Sequence, residues 1–152
     1  MQWSEVLADP ALRNLPYKIE LNEYGKIVMT PASNRHGSIQ SRISRRLWVI
    51  LGAGEVITGC SVATRLGVKV ADVAWCSPGF IERHGLETPY TEAPEICVEI
   101  VSPSNSEPEM AEKRRLYFEG GAQEVWIVTE EEAVTVFGPA GPLPESRLAP
   151  DG

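Results

Sequence analysis

The segment EICVEIVSPSN, residues 95–105, sets an acid inside an apolar run: Glu99 stands among Cys97, Val98, Ile100 and Val101. A lone carboxylate taken out of water costs several kcal/mol unless a cation or hydrogen-bond donors meet it. Asp72, in VKVADVAW, has the same kind of setting. Side chains alternate across a strand, so Glu99 shares a face with Glu95, Cys97 and Val101, and Asp72 with Val68, Val70 and Ala74. If the two strands are neighbours, the carboxylates converge, and they repel unless one is protonated or a cation lies between them. A cation held by two carboxylates and completed by water is the chemistry of Mg²⁺ or Mn²⁺ rather than zinc. The other reading open at this level gives each acid its own structural ion pair, for instance with an Arg from a neighbouring helix.

A basic group that could complete such a site lies in EPEMAEKRRLYFEGG. Lys113 falls one turn after Glu109 and one turn before Tyr117 on the helix that follows the Glu99 strand. A crossover helix packs back over its own strand, so an inward Lys113 could reach the carboxylates, hold an attacking water and offset phosphate charge. Read alone, Lys113 fits equally a solvated pair with Glu109.

These residues need elements to position them. A short helix is expected over Ser4–Asp9, then two strand-like runs, Lys18–Leu21 and Lys26–Thr30, joined by NEYG. The clearest helix begins near Ser33 or Asn34 and runs to Leu51, with Ile39, Ile43, Leu47, Ile50 and Leu51 on one stripe and GAG after it. Strands follow at 55–60 and 68–75, then a turn-rich stretch from Cys76 to Pro94. The order strand 96–101, helix 108–119, strand 124–128 predicts a parallel pair joined by a crossover. TEEEAVTVFG reads as the last strand's hairpin partner, and the Pro- and Gly-rich residues 138–152 as a disordered tail. The fold class is α/β, one domain over 1–137 with a mixed sheet flanked by helices.

Composition bounds the partners. The chain has 152 residues, 14 Lys plus Arg against 21 Asp plus Glu, and a net charge of −7, which disfavours general polyanion binding. Arg42 and Arg46 share a face of the long helix and form the candidate local phosphate contact; the other reading, favoured by the net charge, leaves this face simply in solvent. No apolar run is long enough for a membrane helix, and MQWSEVLADP lacks signal-peptide features, so a cytoplasmic protein with no membrane partner is expected. Cys60, Cys76 and Cys97 are widely spaced and read as buried thiols. GAGEVI lacks the third Gly of a dinucleotide fingerprint, two distant His exclude a His-rich zinc site, and SPSNS has no base at a recognisable spacing.

ADVAW, followed by VEIVSPSNS and EKRRLYFEGGAQEVWIV and preceded by IELNEYGKIVMTPAS, resembles a large family of bacterial restriction-endonuclease-like proteins in the PD-(D/E)XK nuclease superfamily. The similarity runs from about Tyr17 to Phe137. It implies a restriction-endonuclease-like mixed sheet and a metal site built from an Asp and a Glu on adjacent strands. Asp72 takes the place of the motif's Asp and Glu99 that of its Glu. The motif's Lys position is Val101 here, and Lys113 matches a Lys moved to the following helix. Glu20 matches an acidic position in the opening strand, and His36 a frequent residue at the start of the long helix, where a lone His read by itself is a cap or packing residue. The implied activity is Mg²⁺- or Mn²⁺-dependent hydrolysis of DNA, the metal held by Asp72, Glu99 and the Ile100 carbonyl, with Lys113 and Glu20 assisting and His36 at the phosphate. Cutting both strands of a duplex implies a homodimer. The alternative is a non-cutting interaction module in which Asp72, Glu99 and Lys113 form a structural charge network.

Overall fold

The computed structural model describes residues 1–13 and 15–150. In chain order these residues form α1 (Trp3–Ala8), β1 (Tyr17–Leu21), β2 (Ile27–Pro31), α2 (Asn34–Leu51), β3 (Glu55–Thr64) and β4 (Gly67–Cys76). There follow α3 (Pro78–His84), β5 (Ile96–Ile100), α4 (Glu107–Glu119), β6 (Glu124–Val128), β7 (Val134–Gly138) and β8 (Gly141–Leu143). Strands β3 to β8 lie side by side in sequence order in one six-stranded sheet, while β1 and β2 pair only with each other. All neighbours are antiparallel except β5 and β6, which run parallel with Glu99 opposite Ile127. The sheet is therefore mixed, as expected, and its one parallel pair is joined by α4.

Helix ends follow local chemistry. The Ser33 Oγ accepts the His36 N–H at 3.0 Å, and Gly52, at φ 67°, closes α2 in the left-handed region. Ser106 and Glu109 form a reciprocal cap at the start of α4. Each face of the sheet then buries a helix. Ile39, Ile43 and Leu47 of α2 pack with Val73, Trp75, Ile96, Val98, Ile100 and Trp126 on one side. Tyr117 of α4 and Phe80 of α3 pack with Ala74, Cys97 and Val125 on the other. Residues 73–76 of β4 and 96–98 of β5 thus go alternately to the two cores, which is what strand alternation predicts.

Three differences from the sequence reading have physical causes. The turn-rich stretch contains α3, whose start is signalled by Ser77, with its Oγ accepting the Phe80 N–H, and by Pro78 in the first turn. Residues 3–8 rather than 4–9 form the first helix, a fraying difference. The disordered tail expected over 138–152 is corrected for 138–150: β8 pairs with β7, and Ser146 and Ala149 are buried. Glu124, buried at the start of β6, accepts from Ser146 Oγ at 2.6 Å, Arg147 N at 2.8 Å and Leu148 N at 3.0 Å, and this anchors a segment with few apolar groups of its own. Residues 151 and 152 of that expected tail lie outside the described residues.

The β1–β2 hairpin docks beside β4. Gly67 permits this: it sits at φ 97°, and a Cβ there would stand 2.1 Å from the Leu21 carbonyl oxygen. Beyond Val73 and Val98 the ladder between β4 and β5 ends, and β1 lies against the strand edge that this leaves free.

Candidate functional site

Extending the β4–β5 register by one step sets Asp72 across from Glu99, on the α4 side of the sheet. The strands part there, and side chains take over the backbone donors. Asp72 Oδ2 accepts the Ile100 N–H at 2.7 Å, and Glu20 Oε2, from β1, accepts the Val70 N–H at 2.7 Å. Asp72, Glu99 and Glu20 are buried, with 3%, 2% and 5% of their surface exposed.

Two ammoniums enter between them. Lys18 Nζ, from β1, lies 2.9 Å from Glu99 Oε1 and 3.2 Å from Asp72 Oδ1. Lys113 Nζ, from α4, lies 3.2 Å from the same Glu99 oxygen and 2.9 and 3.0 Å from the two Glu20 oxygens. Tyr117, one turn along α4, donates its hydroxyl to Glu99 Oε2 at 2.8 Å. From the first turn of α2, His36 Nε2 reaches Asp72 Oδ1 at 3.2 Å. Three carboxylates thus face two ammoniums and an imidazole.

This arrangement pushes the acids apart in pKa. Burial raises the Glu99 carboxyl above its ordinary value, and Asp72 and Glu20 add to the rise, while Lys113 and Lys18 oppose it. Burial works in the same direction on Asp72, but Lys18, His36 and the Ile100 N–H outweigh it and hold that carboxyl low. Glu20 is likewise held low, against burial, by Lys113 and Lys18. The hydrogen bond to Asp72 raises the His36 imidazole, with burial pulling the other way.

Lys18, Thr30, Pro31, Ala32, His36, Asp72, Glu99, Ile100, Ser102, Asn105 and Lys113 line a cleft of about 30 Å³ over this cluster. Larger hollows of about 450 Å³ beside Thr58 and Tyr90, and about 600 Å³ beside Arg115 and Phe137, lie away from it. Volume and chemistry disagree here, and the chemistry decides: convergent, pKa-shifted groups mark a site better than an open surface hollow.

The sequence expectation for Asp72, Glu99, Lys113, Glu20 and His36 is that they share a pocket, and the structure brings all five together. It does not bring Arg42 and Arg46 there. Arg42 pairs with Glu132, and the Arg46 guanidinium stacks over the Trp126 ring at 4.8 Å from its centre. Lys18 and Tyr117 are the residues the sequence reading passed over. Each had a signal: Lys18 stands two positions before Glu20 on one strand, and Tyr117 four after Lys113 on one helix.

The donor set bears on a metal. Among the described residues no three His, Cys, Asp or Glu side chains form a cluster able to hold an ion by themselves. Two carboxylates that share one ammonium do, however, present a cation position, and Mg²⁺ is commonly held by one or two carboxylates with water completing its octahedron. The residues fit such an ion. No described helix is long and apolar enough to cross a membrane.

Residues 3–149 match the family model Uma2, described as "Putative restriction endonuclease". Among solved structures, the chain is similar to "a putative nuclease belonging to DUF820 from Anabaena variabilis ATCC 29413". The two are 22% identical, with a TM-score of 0.72, over 91% of this chain and 80% of that one. At that identity the likeness shows the fold alone. No functionally curated protein matches the chain.

Proposed function

Because this chain belongs to the Uma2 family of restriction-endonuclease-like proteins, we infer that its charged cleft is the active site of a divalent-metal-dependent nuclease that hydrolyses DNA phosphodiester bonds. One observation carries the reading: Asp72 Oδ1 and Glu99 Oε1 approach a single positive charge from two strands, with a second ammonium on the Glu99 side.

Asp72 and Glu99 would hold Mg²⁺ or Mn²⁺, with the Ile100 carbonyl beside them. The ion would supply a water of lowered pKa and neutralise charge on the scissile phosphate. Lys113 would stand at the developing negative charge, and Glu20, which binds its ammonium through both oxygens, would position it. Tyr117 fixes the Glu99 carboxylate by binding the oxygen that Lys18 and Lys113 leave. His36 would donate to a phosphate oxygen or to its water. Because a duplex offers two strands to cut, we propose that two copies act together.

Plasmid nicking with Mg²⁺ or Mn²⁺, run beside Asp72→Ala and Glu99→Ala, tests this. Metal-dependent nicking lost in both variants supports it, whereas equal nicking by wild type and variants would remove the site from the chemistry. A second reading has one observation in its favour. Every carboxylate in the cluster already has a positive partner, as a structural charge network in a non-cutting interaction module would. That module would bind no metal at millimolar concentration.

A further inference from the structure

We propose that Lys18 is a built-in cation occupying the metal position, so that a divalent ion binds only when the Lys18 ammonium swings out. The proposal rests on the nuclease reading above and names how that site is controlled.

Two of the four Asp72 and Glu99 oxygens already accept from fixed donors. Asp72 Oδ2 is committed to the Ile100 N–H and Glu99 Oε2 to the Tyr117 hydroxyl. The oxygens left to bridge an ion are Asp72 Oδ1 and Glu99 Oε1, and Lys18 Nζ is bound to both. Charge gives the same answer. Three carboxylates face two ammoniums, so a dication added to them would leave the buried cluster positive, whereas one that takes the place of the Lys18 ammonium leaves it balanced. Position agrees as well: Lys18, Asp72 and Glu99 line the same cleft.

Lys18 has somewhere to go. Its side chain keeps 15% of its surface exposed, and its four-carbon stem is flexible. It belongs to the two-stranded sheet, not to the six-stranded one, so withdrawing it leaves Asp72, Glu99, Tyr117 and Lys113 in place. Val28 and Met29 on β2 are themselves about 40% exposed, which leaves that hairpin only partly covered. An occupied site lowers apparent affinity by the fraction of molecules in which it is free. Lys113 does not play this part, because its closest partners are the Glu20 oxygens.

Calorimetric titration of Mn²⁺ into wild type, Lys18→Met and Asp72→Ala gives the first test. The proposal expects Lys18→Met to bind about tenfold tighter than wild type or better, and Asp72→Ala to bind weakly or not at all. Equal or weaker binding by a Lys18→Met protein that melts cooperatively overturns the proposal and leaves the metal site standing. Absence of binding by all three overturns both. Lys18→Met strips the acids of a partner and could unfold, so a second measurement uses unaltered protein. Amine acylation read by mass spectrometry should show Lys18 protected without metal and several-fold more reactive at saturating Mg²⁺, with exposed Lys26 unchanged. Lys18 labelling that Mg²⁺ leaves unchanged, in protein that calorimetry shows to be loaded, overturns the proposal.

Discussion

Asp72 Oδ2 accepts the Ile100 N–H at 2.7 Å across the point where β4 and β5 separate. One carboxylate therefore does two jobs: it closes the fork in the sheet with one oxygen and turns the other toward Lys18 and His36. Under the proposed function, cation holding and local folding meet in this side chain, and substitution separates the two.

Asp72→Asn keeps an acceptor for the Ile100 N–H but removes the charge that draws a cation. The expected outcome is a folded protein whose metal-dependent nicking falls more than about a hundredfold, since loss of a ligand exceeds the 10–100-fold cost of losing its outer partners. Plasmid nicking and a urea melt on the same preparation check it.

Tyr117→Phe deletes the hydroxyl that holds Glu99 Oε2 in a buried site. A buried carboxylate oxygen left without its donor costs about 1–3 kcal/mol. Urea denaturation should show a loss in that range, and nicking should fall with unaltered reliance on metal, because Asp72 and Glu99 remain.

Glu124 predicts an acid dependence. Burial would raise its carboxyl, but Ser146, Trp126, Leu148 and Arg147 donate to it and hold it below its ordinary 4.5. A folded-state pKa that is depressed means stability present above the unfolded value and lost as pH falls through the folded one. Acid should therefore loosen the C-terminal segment below about pH 4.5. Glu124→Gln should cost about 2 kcal/mol at pH 7 and flatten that acid limb in melts taken across pH.

Leu47 is fully buried between α2 and the sheet. Leu47→Ala should destabilise by about 2–5 kcal/mol, as measured in urea. An effect under 1 kcal/mol would contradict the packing described for that face.

Strand alternation groups Asp72 with Val70 and Ala74, and Glu99 with Cys97 and Val101, and the strand–helix–strand order places Lys113 on the helix over the Glu99 strand; these inferences are local. That the two strands are neighbours, which makes the carboxylates meet, is a condition only the β4–β5 pairing supplies. Lys18 was harder to place because the backbone of β1 pairs only with β2, and its position beside β4 depends on Gly67, a distant residue whose missing side chain makes room. The tail misled for a related reason. Its Pro and Gly content signals little burial, yet its amides and Ser146 end on Glu124, more than twenty positions upstream. Arg42 and Arg46 looked like a phosphate-facing pair from helical spacing alone, but Glu132 and Trp126 claim them.

The glycine-sized seam at Gly67 has a kinetic meaning. Of the three carboxylates, two ammoniums and one imidazole of the cluster, Lys18 and Glu20 ride on a hairpin held to the main sheet by that narrow approach and by the charges themselves. Parting this seam is expected to cost a local opening free energy below that of global unfolding, and amides of β1 that exchange faster than those of β5 would report it.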